Sequence, residues 1–256
     1  MHNNLDLVFF MTNLGHHGRY DLHKYTLNNL KRNSDNLQSF SNLFLSIKDF
    51  SKGESVNEIL KDFYGFNVFI NKNNDPNIQK DAPYNNYGYY LLNNYLADIA
   101  NCYLRLKSFT HSKYIYLVED DSPEILKNIK FSDFVSRAIE KLESDRNIFS
   151  VHLKREHLES ANQVYTSELH DFFLDSDKND YNFQNQIFRA DDMIKVAEII
   201  ASNYNTLSSI HTERAVRTAI HTLNPEFRFV YTHPVYAYST HIGVKNSDDY
   251  IKYFNL

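Results

Sequence analysis

The chain has 256 residues, a formal net charge of -5 and a pI near 6.2, which argues against a global positive field for nucleic acid or anionic lipid. Hydrophobic residues at 42% and aromatics at 15%, with 19 Tyr and 19 Phe, supply a proper core and exclude a disordered chain. The single cysteine, Cys102, excludes an intrachain disulfide or a thiolate metal site.

A cytoplasmic setting is expected. No apolar run approaches the ~18 residues of a membrane span, and Met1-His-Asn-Asn-Leu-Asp6 lacks the pattern of a signal peptide. The length suits one α/β domain over residues 1–256, with no repeat to divide it.

In chain order, Leu5 to Met11 is a compact apolar run, the pattern of a first strand. The polar stretch Thr12-Asn13-Leu14-Gly15-His-His-Gly18 then marks a loop, and helical spacing follows from near Tyr20 to Lys31. Loop amides and a helix N-terminus can hold a phosphate, and Arg19 could add a bidentate contact, although Gly15-His-His-Gly18 matches no known phosphate-loop fingerprint. Leu43 to Ile47 reads as a second strand, Ser55 to Tyr64 as a helix with Ser55 as its cap, and Phe66 to Ile70 as a third strand. A long polar loop is expected from Asn71 to Pro83, and an amphipathic helix from Gly88 to Leu106.

The next stretch organises the rest. Tyr114-Ile-Tyr-Leu-Val118 is aromatic, aliphatic or β-branched throughout, as a buried central strand would be, and it ends in Glu119, Asp120 and Asp121, with Pro123 soon after. Adjacent carboxylates repel one another, so the triplet is easiest to understand with a hard cation such as Mg²⁺ or Mn²⁺ beside it. A solvated acidic turn is the alternative.

Beyond it come a helix over Phe131 to Leu142, a strand over Ile148 to Leu153, and a polar excursion from Glu156 to Asp180. Phe183 to Ala190 reads as a strand, with Asp191 or Asp192 capping a helix through Ile200. A further helix is expected from His211 to Leu223, then short strands over Phe227 to Tyr231 and Pro234 to Tyr238, and a loop from Ser239 to Gly243.

This order of elements, together with the strand-end acids, resembles a GT-A fold glycosyltransferase, most like the inverting, family-2-like members. The resemblance lies in the N-terminal strand with its loop from Leu7 to Arg19, in Glu119-Asp120-Asp121 at the place of the DxD motif, in Glu213 at a late helix start, and in His241 after the last strand. It implies an α/β fold of the Rossmann-like GT-A type, with a mixed, mainly parallel sheet flanked by helices. It also implies a nucleotide-binding half over about 1–121 and an acceptor-binding half over about 122–256.

The implied reaction moves a sugar from a nucleotide-diphosphate sugar to a hydroxyl acceptor, such as a glycan, with inversion and with Mn²⁺ or Mg²⁺ as cofactor. By the same resemblance Asp121 is the direct metal ligand and His241 completes the shell. Thr12, Asn13, Gly15, Arg19, Glu119, Asp120 and Lys245 would hold the donor. A base is needed at the acceptor hydroxyl. Glu213 is the first candidate, with Asp191 and Asp192 as runners-up because they too lie at an expected strand-to-helix turn. Glu119 departs from a literal DxD. That departure fits a non-catalytic sugar-binding module of the same fold, and a metal-dependent phosphohydrolase or nuclease, with carboxylates holding two ions, is a separate alternative.

Overall fold

The computed structural model describes residues 4–11, 22–49, 54–72, 89–156, 171–174 and 181–240. In order these form β1 (Leu5–Met11), α1 (Leu22–Asn33), β2 (Leu43–Asp49), α2 (Glu54–Asp62), β3 (Asn67–Lys72) and α3 (Tyr89–Leu106). Then come β4 (Tyr114–Glu119), β5 (Glu124–Leu126), α4 (Phe131–Ser144), β6 (Ile148–His152), β7 (Lys154–Glu156) and β8 (Gln186–Arg189). The last elements are α5 (Ala190–Ser202), α6 (Tyr204–Leu207), α7 (Thr212–Leu223), β9 (Arg228–Tyr231) and β10 (Ala237–Thr240).

Seven strands make one sheet in the order β3-β2-β1-β4-β8-β6-β9, and β5-β10-β7 make a second, smaller sheet. In the large sheet only β8 runs against its neighbours β4 and β6, and the other recorded pairings are parallel. This is a mixed, mainly parallel sheet flanked by helices, a Rossmann-like α/β architecture.

The period-two alternation of the central strands sorts their side chains onto two faces. Leu5, Leu7, Phe9 and Met11 of β1, with Tyr114, Tyr116 and Val118 of β4, pack beneath α1, α2 and α4. Val8 and Phe10, with Ile115 and Leu117, pack on the other face beneath α3, α5 and α7. Both strands are therefore buried on two sides and read as continuous apolar runs.

The strand order also creates a crevice. From β1 the chain moves outward through β2 and β3, then returns to place β4 on the opposite side of β1. Ligands of open α/β sheets bind at such a reversal, outside the carboxyl ends of the strands. Phe10 of β1 is in register with Glu119 of β4, so the end of β1 and the acidic triplet lie side by side at that edge of the sheet.

Several expected boundaries move. The helix near Ser55 starts at Glu54, which places Ser55 inside its first turn and not at its cap. Ser239 and Thr240 belong to β10 and not to a loop, and the strand expected from Pro234 begins at Ala237. The chain resumes as β5 directly after Pro123, in the small sheet. Most of the polar excursion lies outside the described residues. Its 171–174 segment returns to the β9 edge, where Leu174 N donates to Tyr231 O at 2.8 Å. Among the described residues no helix is long and apolar enough to cross a membrane.

Candidate active site at the end of the central strand

Strand alternation places Glu119 on the face of Ile115 and Leu117, toward α3 and α7. The hydroxyl of Tyr95, on α3, donates to Glu119 Oε1 at 2.6 Å. Glu119 is half-buried, and Asp120 and Asp121 are buried. Asp120 N donates to Phe10 O at 3.1 Å, which continues the β1–β4 ladder one residue past the strand. Thr26 of α1 donates its hydroxyl to Asp120 O at 2.8 Å. Ser122 Oγ donates to Asp121 Oδ1 at 3.2 Å. Asn185, immediately before β8, clamps both ends of the turn: its Nδ2 donates to Ser122 O at 2.7 Å, and its Oδ1 accepts from Glu119 N at 3.4 Å.

Electrostatics tie Glu213 to this turn. The Glu119 carboxyl is held well above the usual carboxylate range, first by desolvation and then by the charge of Asp121, with Asp120 and Glu213 adding in the same direction. The Tyr95 hydroxyl opposes them, because a hydrogen bond donated to the carboxylate favours its ionised form. Tyr181 reports the same convergence. Burial pushes its phenol up, and the charges of Glu213 and Glu119 push it further. Glu213 sits in the first turn of α7, where the helix dipole favours a carboxylate. His211 Nδ1 approaches its Oε2 at 3.9 Å with both side chains well exposed, a contact worth little in water. Edge-to-face contacts of Tyr95 with Phe183 and of Phe183 with Tyr181 line the wall between Glu119 and α7.

Of the residues expected from sequence, Glu119, Asp120 and Asp121 share one turn, and Glu213 is near enough for its charge to raise the Glu119 carboxyl. Asp191 and Asp192 lie apart from them. Because β8 is antiparallel, its last residue Arg189 lies opposite Tyr114, the first residue of β4. Five residue steps along β4, roughly 17 Å at the usual strand rise, separate that edge from the acidic turn. Asp191 and Asp192 therefore start α5 at the far edge of the sheet. They lie in its first turn and do not cap it, since Arg189 holds the cap position. Asp192 meets Arg189 Nη1 at 3.5 Å, while Asp191 is exposed. Thr12, Asn13, Gly15, Arg19, His241 and Lys245 lie outside the described residues.

Tyr95, Asn185, Thr26 and Tyr181 were not singled out by the sequence. Tyr95 carries the helical spacing of a core residue, and in an Asn-rich chain no local signal marks Asn185. His152, the last residue of β6, is fully buried. Burial lowers its pKa to about 3 and keeps it neutral, with Nε2 within 2.6 Å of Ser150 Oγ.

Carboxylate oxygens are the donors that Mg²⁺ and Mn²⁺ take, and Glu119 and Asp121 present them from one turn. Among the described residues no group of three or more His, Cys, Asp or Glu side chains converges into a metal cage. The donor set fits a hard cation that draws further ligands from a bound phosphate and water. It does not fit a structural ion held by these side chains alone.

No protein-family profile matches the sequence, and no curated protein matches it. Among solved structures, the chain is similar to S. aureus TarS 1-349, with 9% identity and a TM-score of 0.46 over 93% of this chain, and it spans 60% of that one. It is also similar to a glycosyltransferase involved in the glycosylation of the major capsid of PBCV-1, with 9% identity, a TM-score of 0.48, and 98% and 99% of the two chains covered. A third is a CMP:2-keto-3-deoxy-manno-octonic acid synthetase complexed with CTP, with 9% identity, a TM-score of 0.49, and 98% of each chain covered. At these values the likenesses assign no function.

Proposed function

We propose that the protein is a cation-dependent glycosyltransferase that moves a sugar from a nucleotide-diphosphate sugar to a hydroxyl acceptor, such as a glycan, with inversion. The observation that supports this is the run of acids, Glu119 to Asp121, at the carboxyl end of the central strand, with Glu213 in the first turn of α7 near enough for its charge to raise the Glu119 carboxyl. A site for leaving diphosphate needs acidic residues to recruit a cation and, apart from them, a base near the acceptor.

In this reading Asp121, with His241, holds Mn²⁺ or Mg²⁺. When bound, the cation acts as a Lewis acid that neutralises charge on the departing diphosphate. Thr12, Asn13, Gly15, Arg19 and Lys245 are assigned to hold the donor. Asp120 orients a donor group, and Glu119, whose carboxylate accepts a 2.6 Å hydrogen bond from Tyr95, sits beside Asp121 to contact either the donor or its cation. Glu213 accepts the proton of the attacking acceptor hydroxyl. Residues 1–121 form the nucleotide half and residues 122–256 the acceptor half of one domain.

The test is thermal unfolding with Mn²⁺ and a panel of nucleoside diphosphates and sugar nucleotides. Stabilisation that needs both metal and nucleotide, and that disappears in Asp121→Ala, is expected. A melting temperature unmoved by every nucleotide under either metal would refute the reading. Glu213→Gln is expected to keep the donor-induced shift and to lose transfer. Unchanged turnover in that variant removes Glu213 from the role of base.

A further inference from the structure

From Asp120 to Glu124 the turn presents four backbone carbonyls that are each taken by a different donor. Asp120 O accepts from Thr26 Oγ1 at 2.8 Å and Ser122 O from Asn185 Nδ2 at 2.7 Å. Pro123 O accepts from Thr240 N at 3.1 Å, and Glu124 O from Asn33 Nδ2 at 3.4 Å. The donors come from α1, from the segment before β8 and from β10, so three separate parts of the chain grip one short turn.

Glu124 adds a side chain to this grip. It is 1% exposed, and Tyr116 of β4 donates its hydroxyl to Oε2. Asn33 of α1 donates Nδ2 to Oε1 at 3.3 Å. In the small sheet Glu124 is the register partner of Ser239 on β10, the strand that leads into His241. Facing it are therefore Tyr116 from β4, Asn33 from α1 and Ser239 from β10. Of these only Tyr116 titrates, and burial pushes its phenol well up, so it stays a neutral donor. Desolvation lifts the Glu124 carboxyl to about 7 against the two hydrogen bonds, which favour its ionised form.

We propose that Glu124 is a positioning residue that, through Tyr116, Asn33 and the pairing with β10, holds the acidic turn in the geometry that receives a cation-bound nucleoside diphosphate. This rests on reading the turn as the donor site. Desolvation outweighs the two hydrogen bonds and favours the neutral acid. Burying its anion with only two neutral donors is costly, and displacing β5 is the way to hydrate it. Because β5 follows the turn directly, that displacement spoils the site.

Calorimetric titration of the full chain with Mg²⁺ and UDP, GDP or CDP, at pH 6 and pH 8, tests this in wild type, Glu124→Gln and Glu124→Ala. With a carboxyl titrating at about 7, the neutral fraction falls from about 0.9 to about 0.1 across that interval. Wild-type affinity is then expected to drop about tenfold relative to Glu124→Gln, whose amide cannot ionise. Glu124→Ala leaves both partners without an acceptor and is expected to bind about tenfold more weakly than wild type at pH 6.

The proposal is overturned if the ratio of wild-type to Glu124→Gln affinity is the same at both pH values, or if a folded Glu124→Ala binds like wild type at pH 6. Should Glu124→Ala not fold, the Glu124→Gln ratio alone decides. A wild type that binds none of the three nucleotides refutes the donor-site reading and this inference together. Wild-type binding with a constant ratio refutes this inference alone.

Discussion

Asn185→Ala tests the architecture of the site at one atom pair. Asn185 is fully buried, and Ser122, whose carbonyl it holds at 2.7 Å, is 2% exposed. Removing the amide leaves that carbonyl without its donor in an enclosed place, and also deprives Glu119 N of its 3.4 Å acceptor. A buried polar group left unsatisfied costs about 1–3 kcal/mol, and the short bond carries most of the effect, so the variant is expected to lose about 3 kcal/mol. For a chain of this size that lowers the melting temperature by roughly 6–12 °C. The same loss frees the turn, so the melting shift produced by Mn²⁺ with a nucleoside diphosphate should shrink as well. Differential scanning fluorimetry with and without both ligands reads the two effects side by side. A variant that melts within about 2 °C of wild type and keeps the full ligand shift would show that Asn185 does not fix the turn.

Two further outcomes follow from the same geometry. The folded-state pKa of Glu124, about 7, lies above its ordinary 4.5, so the stability it contributes is complete below pH 4.5 and is lost as pH rises through 7. Urea unfolding should show wild type losing about 3 kcal/mol relative to Glu124→Gln over that interval, at about 1.4 kcal/mol per pH decade. A constant difference between the two proteins across pH 4.5 to 8 would contradict this. Asp191→Asn, at the far edge of the sheet, should leave nucleotide binding and transfer unchanged. A loss of transfer there, with the melting temperature preserved, would return Asp191 to the site.

What the sequence made legible was set by periodicity. β1 and β4 were readable nearly to the residue because strands buried on both faces are continuous apolar runs ended by polar residues. The helices α3, α4 and α7 announced themselves by their apolar stripes. The acidic triplet stood out because three carboxylates after such a strand conflict with its burial. The three-residue strands β5 and β7 are too short for any alternation to register, and Ser239 and Thr240 lack the apolar side chains that mark a strand. Glu124 was invisible for a different reason: its partners Asn33 and Tyr116 are separated from it in sequence, and its own neighbours give no sign of an enclosure.

The largest difference, the exclusion of Asp191 and Asp192, comes from strand direction, which residue patterns do not encode. An alternating strand and helix pattern favours a parallel sheet, in which the residue after each strand reaches the same edge. In a parallel β8, Asp191 would lie near Asp121. The antiparallel β8 exchanges the two ends. It sends Asp191 to the far edge and brings the residues that precede the strand, Tyr181, Phe183 and Asn185, to the carboxyl end of β4. One reversal therefore removes two acids from the crevice and supplies neutral groups in their place: an amide that clamps the backbone of the turn, and aromatic rings that wall it. A further pair of carboxylates beside Glu119 and Asp121 would have added to the repulsion that already lifts the Glu119 carboxyl. With neutral supports the turn is held through its carbonyls.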